Sequence, residues 1–153
     1  MANGLSKNMV KYITNRKGKE EVLNGFEPLI EKWFNSKFDD LTPPQSMAVP
    51  LIHNKENVLV SSPTGSGKTL TAFLSIINDF LKLHRENEFE DGVHAIYVSP
   101  LKALANDIDR NLRQPLDEMM ALAEKLELDV PEIKVAVRSG DTSLKERAKM
   151  VRK

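Results

Sequence analysis

The run Pro63-Thr64-Gly65-Ser66-Gly67-Lys68-Thr69 sets two glycines, a cation and a hydroxyl at a spacing that can enclose phosphate oxygens. Glycine at 65 and 67 permits left-handed backbone angles and lets successive N–H groups approach an anion with no Cβ between them. Lys68 offers an ammonium to the β- and γ-phosphates, and Thr69 a hydroxyl that can ligate Mg²⁺ shared with them. This is the chemistry of a nucleoside triphosphate site. The general pattern opens with glycine where this chain has Ser62, which is still small enough for the turn. A Gly-Ser-Gly turn followed by an exposed lysine would mean little by itself. Here it lies between Val58-Leu59-Val60 and a helix-period segment from Leu70, so loop N–H groups and the positive end of a helix converge on one point.

The elements that must hold the loop follow from periodicity. Val58 to about Ser61 reads as a strand apolar on both faces, and Leu70, Phe73, Leu74, Ile77, Phe80 and Leu81 mark a helix from about Lys68 to about Arg85. The acidic stretch Glu86 to Asp91 connects to a second strand, Val93 to Val98, and then to a helix carrying Leu101, Leu104, Ala105, Ile108 and Leu112. After Pro115 the helical pattern resumes with Leu116, Met119 and Met120. Ile133, Val135 and Val137 alternate as a third strand, and Ser143 with Glu146 forms a capping box for a last helix. Upstream, Pro28 opens a helix with Leu29, Ile30, Trp33 and Phe34, and a second short helical face follows Thr42-Pro43-Pro44, interrupted by Pro50. The order β, α, β, α, β, α predicts an α/β fold, a parallel sheet sandwiched by helices. Residues 1–25, with Lys7, Lys11, Arg16, Lys17 and Lys19, read as a flexible or loosely docked basic arm before a single unit over 26–153.

Composition narrows the class. Lys plus Arg equals Asp plus Glu at 22 each, so contact with a polyanion has to come from a local patch. One such patch is the segment from Arg138 to Lys153, with six basic residues and two acidic ones. Cysteine is absent and His53, His84 and His94 have no metal-ligand spacing, which argues against a structural metal. Nothing approaches the roughly 20 apolar residues of a membrane span, so the expectation is a soluble, cytoplasmic protein with no membrane partner.

Gln45 lies 23 residues before Lys68, and Pro100-Leu101-Lys102-Ala103-Leu104-Ala105 stands on the strand-to-helix turn that follows. With these, the chain resembles superfamily 2 DEAD/DEAH-type helicases. Residues 63–69 are similar to their motif I, Thr42-Pro43-Pro44-Gln45 to the glutamine motif, and Tyr97 to Asp107 to motif Ia. Arg138-Ser139-Gly140-Asp141-Thr142 with Glu146-Arg147 resembles a segment of the large helicase-related group. The resemblance covers residues 26–150 and implies a RecA-like P-loop domain, incomplete at its C-terminus. It implies ATP and Mg²⁺ as ligands, with Gln45 at the adenine edge and Pro63 to Leu70 around the phosphates. It also implies a strand of DNA or RNA, single or partly duplex, along Pro100, Leu101, Lys102, Arg138, Gly140 and Thr142, and a second RecA-like domain in the longer protein.

A helicase also needs a strand-borne Asp-Glu pair for Mg²⁺ and the attacking water, and an arginine from its second domain. The one Asp-Glu dipeptide, Asp117-Glu118, falls in a helix-period segment where acidic residues are favoured in the first turn. The expectation is therefore the leading part of a motor domain that binds nucleotide weakly and does not turn it over. Two other classes share the loop: a small phosphotransferase, disfavoured by the acidic stretch where a basic lid would stand, and a non-catalytic nucleotide-binding assembly module.

Overall fold

The computed structural model describes residues 10–99 and 108–151. Among them the helices are α1 (Lys19–Leu23), α2 (Pro28–Lys37), α3 (Pro43–His53), α4 (Lys68–Arg85), α5 (Gln114–Lys125) and α6 (Leu144–Val151), with a π-helical turn, Asp109–Arg113, leading into α5. No helix among the described residues is long and apolar enough to cross a membrane.

Burial concentrates where α1 to α5 meet. Ile30 and Met119 are fully buried, and Phe34, Leu74 and Ile77 nearly so, in one cluster that also takes Val22, Leu23, Trp33, Val49 and Leu116. Each such side chain contributes about 1.5–3 kcal/mol by leaving water. Helix α4 starts and stops where its apolar period predicts, yet it also buries Thr71, Ser75 and Asn78. Thr71 Oγ1 donates to the Gly67 carbonyl at 2.8 Å and Ser75 Oγ to the Thr71 carbonyl at 3.0 Å, so both hydroxyls go into the core already satisfied. Asn78 Oδ1 accepts the Glu27 N–H at 2.7 Å and ties α4 to the start of α2.

The Pro50 that interrupts the α3 pattern lies inside the helix, which continues to His53. Proline at 50 removes the N–H that would bond the Ser46 carbonyl, and that carbonyl accepts the Lys17 N–H at 3.1 Å instead. The chain is thereby docked from Lys17, and α1 places Val22 and Leu23 in the core, ahead of the boundary expected at residue 26.

The expected sheet is the main correction. Among the described residues there is no strand: 58–61, 93–98 and 133–137 carry no ladder. Leu59 is 95% exposed, Ile96 81% and Val98 83%. An apolar run records that a segment is suited to burial, whereas strand hydrogen bonds come only from a neighbouring strand that the run does not specify. Residues 89–98 instead lie beside α4 through ring contacts, Phe73 with Tyr97 at 5.1 Å and Phe80 with Phe89 at 5.6 Å. A cavity of about 1250 Å³ is lined by α4, residues 89–99 and the 130–140 segment, whose Val130, Ile133 and Val135 also pack against the core. The helix expected from Pro100 lies outside the described residues up to Asp107.

Candidate nucleotide and nucleic-acid site

The loop adopts the backbone its glycines permit. Gly65 and Gly67 have φ of 78° and 89°, in the left-handed region, and Gly67 is the cap from which α4 starts. Ser62 and Ser66 join their hydroxyls at 2.6 Å across the turn. The Lys68 ammonium folds back to donate to the carbonyls of Ser62 and Pro63, the latter at 2.7 Å, which keeps it inside the loop. Lys68, Thr69 and Leu70 form the first turn of an 18-residue helix, whose N–H groups have no intrahelical acceptor.

Gly67 is also where the glutamine segment meets the loop. A Cβ there would stand 3.0 Å from Thr42 Oγ1 and 3.5 Å from Gln45 Nε2. Gln45 is 3% exposed, and its Oε1 accepts the Thr42 N–H at 2.8 Å, as the N3 residue of a capping box does. Its carboxamide therefore stands behind the loop. The Thr42 hydroxyl is buried with no hydrogen-bond partner, a polar atom held against the glycine where phosphate would be cradled.

In front of the loop is a cleft of about 600 Å³. Thr64, Gly65, Gly67, Lys68, Thr69 and Leu70 line one side; Trp33, Lys37 and Phe38 from α2 and its end, with Gln114, Pro115 and Glu118 of α5, line the other. No group of three or more His, Cys, Asp or Glu side chains among the described residues could hold a metal ion by itself, so a cation here would depend on Thr69 and the phosphates. The loop's donor set fits that arrangement. Glu118 accepts from the Gln114 amide at 3.1 Å and the Trp33 indole at 2.9 Å and pairs with Lys37 at 3.2 Å. These contacts, the Gln114 bond foremost, hold its carboxyl below the usual carboxylate range. Both acids of the Asp117-Glu118 pair are on a helix, as their surroundings in sequence indicate, but the placement of Glu118 in the cleft wall carries no local signal.

The sequence profile of the DEAD/DEAH box helicases matches residues 42–152, which span Gln45, the loop and the Arg138–Thr142 segment. The chain belongs to the DEAD/DEAH box helicase family. Among relatives of this family it is 49% identical to the ATP-dependent helicase Lhr-Core protein 2 of Thermococcus barophilus, over 95% of this chain and 17% of that one. It is 45% identical to the ATP-dependent helicase Lhr-Core of Methanocaldococcus jannaschii, over 94% of this chain and 17% of the relative. The solved structure of Mycobacterium smegmatis helicase Lhr bound to ssDNA and AMP-PNP superposes with a TM-score of 0.75 at 44% identity, over 85% of this chain and 16% of that one. The chain thus spans about one sixth of the length of these helicases. The likeness carries the RecA-like P-loop fold, although the described residues of this chain lack the paired strands.

The other residues singled out in the helicase domain divide into two groups. Pro100, Leu101 and Lys102 lie outside the described residues. Gly140 and Thr142 lie in a compact turn from Ser139 to Thr142 that Arg138 precedes, in which Thr142 Oγ1 accepts the Ser139 N–H at 2.7 Å. Arg147 clamps that turn, donating to the carbonyls of Thr142, Ser139 and Gly140 at 2.8, 3.0 and 2.9 Å. Ser143 and Glu146 make the reciprocal capping bonds at 3.2 and 3.1 Å, which start α6 and so aim Arg147 at the turn. A lone arginine in a basic segment gives no hint of that role.

Proposed function

We propose that this chain is the ATP-binding part of an ATP-dependent helicase, in which nucleotide binding and hydrolysis in the longer protein drive movement along a DNA or RNA strand in the cytoplasm. The observation that carries the proposal is the packing of Thr42 and Gln45 against Gly67. It joins a segment suited to reading a base to a loop suited to gripping phosphates.

In this reading the N–H groups from Thr64 to Leu70, with Pro63 and Ser66 shaping the turn, bind the phosphate oxygens. Lys68 exchanges its two loop carbonyls for β- and γ-phosphate oxygens. Mg²⁺, when bound through the Thr69 hydroxyl and the phosphates, would neutralise charge developing on the transferred phosphoryl group. Gln45 turns its amide toward the adenine edge, and its bond to the Thr42 N–H couples that movement to the loop. Arg138, Gly140, Thr142 and Lys102 follow a strand mainly through its sugar-phosphate backbone, which carries no direct sequence information. Hydrolysis requires an acidic pair on a strand and an arginine from a second RecA-like domain, so the 153-residue chain holds nucleotide weakly without turning it over.

Titration with a fluorescent single strand tests the nucleic-acid half of the proposal. Binding that weakens steeply with added salt and is lost in Lys102→Glu supports it, whereas no binding at any salt contradicts it.

A further inference from the structure

One carboxylate holds together the wall of the cleft that faces the phosphate loop. Trp33 is 4% exposed, so its indole N–H needs an acceptor inside the fold, and Glu118 Oε2 provides it from α5, 85 residues away in sequence. The same oxygen lies 3.2 Å from the Lys37 ammonium, and Oε1 accepts the Gln114 amide. Lys37 and Glu118 both line the cleft that Gly67, Lys68 and Thr69 line from the opposite side. A bare carboxylate there would repel a polyphosphate; the Lys37 ammonium drawn against it offsets that charge, and of its three N–H donors it can turn others toward a phosphate oxygen.

We propose that Glu118 is a positioning residue that holds the Lys37 ammonium over the cleft, so that a bound triphosphate meets a cation from each wall, Lys68 on the loop and Lys37 on α2. This rests on the reading of the cleft as a nucleotide site, and the chemistry it adds is recognition of the phosphate chain.

The test displaces a fluorescent adenine nucleotide from the 153-residue chain with Mg-ATP and, separately, with inorganic tripolyphosphate. Lys37→Met and Glu118→Gln are each expected to weaken both competitors about three- to fivefold, the size of a partly screened ion contact. The double variant should lose no more than the weaker single. Glutamine still offers an oxygen to the indole, so the emission of Trp33, the sole tryptophan, and the urea midpoint should match the parent in Glu118→Gln. Tighter or unchanged binding in Glu118→Gln would overturn the proposal, because it would make the carboxylate a mere repelling charge. Additive losses, or a loss for ATP that tripolyphosphate does not share, would overturn it too. Should Glu118→Gln fail to fold, Lys37→Met, at a half-exposed position, decides alone by the same two competitors. Lys68→Ala separates the two levels: if it binds like the parent, the nucleotide reading fails and takes this proposal with it. If it abolishes binding while Lys37→Met changes nothing, only the proposal fails.

Discussion

Gly67 lies so close under Thr42 that a methyl group added to it would come within 3.0 Å of the threonine hydroxyl. With φ of 89° as well, Gly67→Ala meets both a backbone penalty and a contact, and is expected to destabilise the fold by about 1–3 kcal/mol. Gly65 shares the positive φ, but nothing lies within 4 Å of its added Cβ, so Gly65→Ala should cost only about 1–2 kcal/mol. Urea unfolding of the two variants checks the order.

Asn78→Leu removes the acceptor of the Glu27 N–H from a position with no exposure. Leaving that buried donor unpaired is expected to cost about 1–3 kcal/mol, read as a lower urea midpoint with an unchanged slope. An unchanged midpoint would mean that water reaches Glu27 N.

His53 makes stability depend on pH. Desolvation, then the Lys82 charge, with Lys55 adding to it and Asp79 opposing, lowers its pKa below the ordinary 6.5. The unfolded chain therefore binds a proton more readily than the folded one between 6.5 and the lowered value. Stability from this group is complete above 6.5 and is lost as pH falls through that window. His53 packs edge-on against Phe26 at 4.7 Å, so His53→Phe keeps an aromatic ring there and should flatten the acid side of the stability profile. An equally steep profile in the variant would assign the effect to another group.

Arg147→Ala deletes three bonds to the carbonyls of the Ser139–Thr142 turn. About 1 kcal/mol of loop order should be lost, and with it roughly fivefold in single-strand affinity, while nucleotide affinity stays unchanged. Parallel titrations of strand and nucleotide distinguish this from general destabilisation, which would lower both.

A feature is legible in the sequence where its determinant is local. The α4 bounds, the two left-handed glycines and the Ser143–Glu146 cap follow from residues within a few positions of one another, where periodicity, φ freedom and capping act. The Lys17 bond to Ser46 was hidden because it uses a carbonyl freed by Pro50. Glu118 reads in sequence as a helix-start acid, since its value comes from Trp33 and Lys37 on another helix. Val93 to Val98 signalled burial without naming a partner strand, and the structure shows that run beside α4 and exposed.

The most direct test is calorimetric titration of the 153-residue chain with Mg-ATP, beside Lys68→Ala. Saturable binding at micromolar to millimolar nucleotide that Lys68→Ala abolishes, with its urea midpoint preserved, is the predicted result. No heat of binding at millimolar Mg-ATP from a folded parent chain, or equal binding by the variant, would contradict the assignment of residues 63–70 as a triphosphate site.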